Sequence, residues 1–262
     1  MKKEHDEIAA IHREEDCSKI WFKKALELLD LKNINISKVI DVGAGKGEFL
    51  EILKNKFDIT EAVAIDYSET NLRILSLKDI KSIKVDLDNI DFNDFLKYRQ
   101  HFDIVVSLET IEHVFNSNKL FAFFNFILKK DGLLLVSTPN LGCFRAKLFY
   151  LLRGYPFGES HHIRFFNRNK LNQYLFFSGF DIIKWNNYLT LDKDITMRGF
   201  ATKNRYIIFF LDRVIYLLLL VLYKLHISNA FTCNGLIVIA KKNNLAPLGV
   251  ESEYFKNNFN KL

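Results

Sequence analysis

Strand-length apolar runs alternate with helix-like segments along most of the chain, and this alternation constrains the fold more than any other feature. The runs are KVIDV at 38–42, AVAID at 62–66, SIKVD at 82–86, FDIVVS at 102–107, GLLLVST at 132–138, FDIIKW at 180–185 and GLIVIAK at 235–241. Helix-compatible segments lie between them at 18–30, 47–55, 69–76, 92–99, 117–129 and 168–178. A parallel strand is covered on both faces, so it reads as a continuous apolar run, and each crossover to the next needs a helix. The expected fold is α/β: one domain over 1–262 with a doubly wound, mostly parallel seven-stranded sheet.

An apolar content of 49% over 262 residues is enough to fill the core of such a sheet. The formal charge of +6 comes from lysines spread along the length, with no dense basic block or basic-aromatic repeat, so nucleic acid is not an expected partner. Cys17, Cys143 and Cys233 have neither metal-type spacing nor a disulfide pattern, and MKKEHDEIAAIHREED lacks the apolar core of a secretory signal. The expected location is the cytoplasm.

The chemistry begins at VIDVGAGKGEF, residues 39–49. A dinucleotide-binding Gly-x-Gly-x-x-Gly turn starting at Gly43 would need its third glycine at position 48, which is Glu48. An acid at the start of the following helix would oppose a pyrophosphate, so the turn suits a ligand without phosphates. Acid-x-Gly-x-Gly-x-Gly, given by Asp41, Gly43, Gly45 and Gly47, resembles motif I of class I S-adenosylmethionine-dependent methyltransferases. The resemblance covers 36–186 and extends to 235–241. It implies a Rossmann-like methyltransferase fold and S-adenosyl-L-methionine as cofactor, with the glycines letting backbone approach the nucleoside and methionine parts. Asp66, 25 residues after Asp41, resembles the family's acid for the ribose hydroxyls. Asp86, ending the third strand, resembles the acceptor for the adenine amino group, with the backbone of Leu87 beside it and Asp88 as the weaker alternative. Tyr67 is placed to cover the adenine ring. The first 30 residues form a helical cap that would bring His12 and Trp21 over the cofactor.

FDIVVSLETIEHV, residues 102–114, resembles the post-strand motif of O-methyltransferases of the ubiquinone-biosynthesis type, Glu-x-x-Glu-His. Here it supplies Glu109, Glu112 and His113, whose spacings of three and four would put them on one face of a helical turn, converging on one point. Such a cluster could take the proton of an attacking hydroxyl as general base, or hold a divalent cation such as Mg that acidifies it. The resemblance implies metal binding at these three positions. The stretch YPFGESHHIRFFNRNKLNQYLFFSGF resembles the family's His-x-x-x-Phe pattern, which makes His162 a fourth catalytic candidate, with His161 and Arg164 beside it.

Residues 187–234 exceed an ordinary connection and form an apolar helical insertion before the last strand. Within RYIIFFLDRVIYLLLLVLYKL, helical spacing gathers Arg205, Asp212, Tyr216 and Tyr223 into one stripe and leaves the rest apolar. Asp212, Arg213 and Lys224 interrupt it too often for a favoured membrane span. Three occupants of 205–225 stay open: the protein's own sheet, a second copy in a homodimer, and peripheral contact with the inner face of a membrane. The acceptor expected from these features is a small molecule or a lipid-linked or glycan precursor, methylated at a hydroxyl oxygen. A nicotinamide-dependent oxidoreductase on the same sheet and a non-catalytic cofactor-binding scaffold are the competing functions.

Overall fold

The structure is a computed structural model that describes residues 20–31, 34–153, 162–189, 205–225 and 229–243. Seven strands form one sheet: β1 Lys38–Val42, β2 Glu61–Asp66, β3 Lys81–Lys84, β4 Phe102–Leu108, β5 Leu128–Pro139, β6 Phe180–Tyr188 and β7 Gly235–Lys242. Their spatial order is β3-β2-β1-β4-β5-β7-β6. β1 through β5 pair in parallel, whereas β7 enters antiparallel between β5 and β6. The expected mostly parallel seven-stranded sheet is therefore present, with its single reversal at β7.

The strands sort their side chains by parity. Ile40 and Val42 pack on one face with Val105, Phe121, Phe124, Leu134 and Leu171. Val39 packs on the other with Leu50, Leu53, Ile104, Val106 and Ile239. The helices that cover these faces are α1 Ile20–Leu28, α2 Glu48–Lys56, α3 Glu69–Leu77, α4 Ser117–Ile127 and α6 Arg168–Phe177, with α5 Phe144–Arg153 following β5.

Their ends are legible in the sequence. Glu48 and Glu51 open α2 and Lys54 and Lys56 close it, which complements the helix dipole. Ser68, Asn116 and Asn167 accept from the backbone N–H three residues on and so cap α3, α4 and α6.

Three expectations are corrected. The third strand ends at Lys84 rather than at Asp86, which lies in the turn beyond. The helix expected over 117–129 stops at Ile127, because Leu128 already pairs with Phe102 as the start of β5. Residues 92–99 form a 3-10 helix, Phe92–Tyr98, in place of an α-helix. α5 was not expected; Cys143 Sγ accepts from Ala146 N at its first turn, a capping role that cysteine rarely signals in a sequence.

The insertion contains α7 Arg205–Lys224 and the short α8 Asn229–Thr232. Phe210, Val214, Leu217, Leu218 and Val221 are exposed on α7 and Leu219 is buried. The side chains of Asp212, Tyr216 and Tyr223 in the expected polar stripe fall outside the described residues, as do His12, Cys17 and His161. Among the described residues no helix is long and apolar enough to cross a membrane.

Candidate active site

The carboxyl ends of β1, β2, β4 and β5 converge on one edge of the sheet, where open α/β sheets bind ligands. After β1 the chain turns through Gly43, Gly45 and Gly47 with φ of 82°, 55° and 77°, a region that side chains with a Cβ rarely occupy. Gly43 and Ala44 both donate to the Ile65 carbonyl, at 2.8 and 3.0 Å, which bends the turn over the end of β2. Asp66 holds it there. Its Oδ2 accepts from Gly45 N at 2.8 Å, and its Oδ1 accepts from Ser68 N at 2.8 Å and Asn71 Nδ2 at 3.1 Å. Oδ1 is thereby filled, whereas Oδ2 keeps a second lone pair, which leaves room for one ligand hydroxyl.

Beside the turn lies a cavity of about 640 Å³, lined by Trp21 and Phe22 of α1, by Asp41, by Gly43 to Lys46, by Glu48 and Phe49, and by Asn71, Leu108 and Glu109. That volume suits a nucleoside-sized ligand. Asp41 is 4% exposed, and burial, together with the nearby Asp66 charge, pushes its carboxyl up to about 8. Trp21 packs against the rings of Phe22 and Tyr188, each with centroids 6.1 Å away, and Asn186 of β6 donates to Glu27 at 3.1 Å. α1 is thereby fixed over the cavity mouth.

Not every expected cofactor residue meets this cavity. Tyr67 is 68% exposed, with Lys84 Nζ 6.0 Å from its ring, and does not line it. Asp86 is exposed; its two oxygens accept from Asp88 N at 3.1 Å and Asn89 Nδ2 at 2.7 Å, so it braces its own turn. Leu87 is half-buried against the core beside it. Asp88 accepts from Asn116 N at 3.1 Å, joining that turn to the start of α4.

Glu109, Glu112 and His113 do not converge, contrary to the helical-turn expectation. Glu109 adopts φ 52° between β4 and the short 3-10 turn Ile111–His113, so the three do not share one face of a helix, and the metal-type group of Glu112 and His113 does not include Glu109. Glu109 Oε1 accepts from Ser137 Oγ at 2.6 Å and from the Tyr188 hydroxyl at 2.5 Å. Burial and the Glu109 carboxylate hold the Tyr188 hydroxyl well above its ordinary pKa, so it remains a donor. Glu112, 1% exposed, turns instead to Thr138, whose hydroxyl donates to its Oε2 at 3.1 Å.

The loop after α5 completes this second group. Ile163 N and Arg164 N both donate to the Glu112 carbonyl at 3.0 Å, and the Arg164 guanidinium grips the Phe115 carbonyl, with Nε at 3.0 Å. These contacts bring His162 against His113, ring centroids 4.8 Å apart. Among the described residues, the group able to hold a metal ion is Glu112, His113 and His162, with ligand atoms all within 4.8 Å of one another. Relative to the expected set, His162 replaces Glu109.

Ser137, Thr138, Thr110 and Tyr188 were missed as site residues. The two hydroxyls in VSTPN, inside an otherwise apolar strand, were a usable signal; Tyr188 lay past the expected end of β6 and carried none.

Comparison with known proteins agrees with this geometry. The family described as a methyltransferase domain matches residues 10–184. The demethylmenaquinone methyltransferase of Thermotoga maritima is 28% identical over 165 residues, covering 58% of this chain and 69% of that protein. The ubiquinone biosynthesis O-methyltransferase of Bartonella quintana is 26% identical over 156 residues, covering 57% and 61%. That of Dictyostelium discoideum, described as mitochondrial, is 28% identical and is covered over 49%. The chain thus spans about half to two thirds of the length of such relatives. Among solved structures, a SAM-dependent methyltransferase from Archaeoglobus fulgidus superposes with a TM-score of 0.57 at 18% identity, over 87% of this chain and 94% of that one. A possible histamine N-methyltransferase from Thermotoga maritima gives 0.54 at 17%, over 93% and 96%. At such identities the superpositions establish the shared fold.

Proposed function

The chain belongs to the S-adenosylmethionine-dependent methyltransferase family, and from that premise we propose that it methylates a hydroxyl oxygen on a small-molecule or lipid-linked acceptor. The observation that carries the cofactor assignment is the charge of the cavity: among the described residues Glu48 and Glu109 line it against one cation, Lys46, with the buried Asp41 carboxyl beside them. Such a lining opposes a pyrophosphate and suits a sulfonium nucleoside, which disfavours the nicotinamide alternative.

When bound, S-adenosylmethionine supplies a methyl group on a sulfonium that leaves as a neutral thioether. The protein's part is to bind, align and dispose of one proton. The Gly43–Gly47 turn offers backbone at close range, Asp66 Oδ2 offers an acceptor lone pair to a ribose hydroxyl, and Trp21 and Phe22 exclude water from the mouth. Tyr67, Asp86 and Leu87 are assigned to the adenine end by resemblance alone, since the cavity is lined by other residues.

On the acceptor side, His113 and His162 are the bases best placed to take the hydroxyl proton. Glu112 is fixed behind them by Thr138, with its Oε1 3.8 Å from His113 Nε2. The same three side chains form a second reading as a divalent-cation site, which rests on their mutual proximity. Two imidazoles with one carboxylate favour a transition ion over Mg. A hydroxyl acceptor is supported by the ubiquinone O-methyltransferase relatives, and the exposed apolar face of α7 supports a lipid-linked one.

Incubation with labelled cofactor and an extract of the protein's own cells should transfer label to one small or lipid-linked product carrying a methyl ether. Tight binding of NAD with none of S-adenosylmethionine would overturn the reading. Cofactor binding with no labelled product, unchanged by loss of His113 and His162, would leave the scaffold alternative in its place.

A further inference from the structure

Of the acids in the cavity, Glu109 is the one whose orientation is determined from three strands. It follows β4, its own N–H donates to Ser137 O at 3.2 Å and to Ser137 Oγ at 3.0 Å on β5, and its Oε1 takes the hydroxyl protons of Ser137 and of Tyr188 on β6. Hydroxyls that donate to a carboxyl oxygen stabilise its ionised form, which is the form that attracts a cation. The backbone is held at φ 52°, a conformation that persists for a residue with a Cβ only where its surroundings over-determine it.

The third support depends on a missing atom. Tyr188 pairs with Gly235 across the β6–β7 ladder, and a Cβ on Gly235 would stand 1.9 Å from Tyr188 Cζ. The tyrosine ring therefore lies directly over the glycine, 3% exposed, with its hydroxyl delivered to Glu109. Such a device is more than a buried carboxylate requires for satisfaction, since the Ser137 hydroxyl already donates to it. What Tyr188 adds is a fixed direction for a negative charge that lines an open cavity.

We propose that Glu109 is the anionic contact for the cationic end of S-adenosylmethionine, its sulfonium or its ammonium group, and that Tyr188 is the positioning residue that aims it. The proposal rests on the methyltransferase reading above and goes beyond it. It takes Glu109 out of the acid-histidine cluster of the acceptor side and places it on the cofactor side. A partly desolvated carboxylate attracts a cation far more strongly than one in open water, so a fixed one is a means of telling a charged cofactor from a neutral one.

The test is calorimetric titration of the whole protein with S-adenosylmethionine and with S-adenosylhomocysteine, whose sulfur is neutral but whose ammonium is retained. Glu109→Gln should weaken S-adenosylmethionine by roughly tenfold or more. Equal weakening of the homocysteine analogue identifies the ammonium as the contact, and weakening of S-adenosylmethionine alone identifies the sulfonium. Tyr188→Phe keeps the ring over Gly235 and removes the hydroxyl; it should weaken S-adenosylmethionine by about threefold to tenfold. Combined with Glu109→Gln it should add nothing further, a non-additivity that a purely structural tyrosine would not give. Ser137→Ala provides a second removal should Tyr188→Phe fold poorly.

Glu109→Gln binding both ligands within twofold of the wild type would overturn the contact. Additive losses in the double variant would overturn the positioning role of Tyr188. A wild-type protein that binds neither ligand would overturn the methyltransferase reading and this proposal with it, an outcome distinct from both.

Discussion

Gly43 faces Thr110 so closely that a Cβ on the glycine would stand 2.3 Å from the threonine Oγ1 and 2.4 Å from its Cγ2. The turn after β1 and the turn after β4 are thus in contact across the floor of the cavity, and Thr110 Oγ in turn donates to the Leu108 carbonyl at 3.1 Å. Gly43→Ala meets both the steric conflict and a φ of 82°. It should cost about 1–3 kcal/mol of stability and abolish measurable cofactor binding. Thermal unfolding with and without S-adenosylmethionine measures both, and an unchanged ligand-induced shift would refute it.

Asp41 should make cofactor affinity depend on pH. Its carboxyl titrates near 8 in the folded protein against 3.8 ordinarily, so between those values the folded state holds a proton that the unfolded state has released. Stability of the unliganded protein should therefore fall as pH rises from about 4 to 8. A cationic ligand prefers the ionised carboxylate, so S-adenosylmethionine should bind more tightly as pH rises through the same window, up to about tenfold per unit. Asp41→Asn should flatten both profiles and leave the unliganded protein more stable at pH 8. A wild-type affinity that is flat from pH 6 to 9 would contradict the assignment.

Trp21 contributes a wall of the cavity from outside the sheet. Trp21→Ala should weaken S-adenosylmethionine by about tenfold, roughly 1.4 kcal/mol, through lost contact and admitted water. Because α1 remains held by Phe22, Ala25 and Leu28 in the core, the fold should survive, which near-ultraviolet circular dichroism can establish. Retained affinity would mean that α1 covers the site without touching its ligand.

His162→Ala should lower turnover on the identified product's precursor by about 100-fold while cofactor affinity stays within about twofold. Exhaustive chelation of the wild type should leave turnover unchanged if His113 and His162 act as bases. Activity lost to the chelator and restored by added divalent cation would convert the same residues into metal ligands.

The sheet was legible because buried parallel strands write themselves as apolar runs, and the order of the acids at their carboxyl ends located the cavity edge. The glycine turn was legible for the same local reason: three positive-φ positions within five residues admit few alternatives to glycine. The different partners of Glu109 and Glu112 were not legible, because the three residues were read from spacing on a helix that does not form. Tyr188 and His162 reach the site from 79 and 50 residues beyond Glu109 and Glu112, and long-range placement of that kind leaves no periodic trace. The end of β3 was overread for a related reason, since Asp86 lies two residues past the strand and accepts within its own turn.

The pairing of Tyr188 with Gly235 has a consequence for how the insertion is held. The last residue of β6 and the first of β7 sit opposite one another, so everything between them departs from and returns to a single rung of the sheet. Such a segment enters and leaves the sheet at one place, and its own buried residues, Leu219, Thr232 and Cys233, with the bonds from Asn140 to the Cys233 and Asn234 carbonyls, dock it beside β5. Its two attachment points are the ring that aims Glu109 and the glycine beneath that ring.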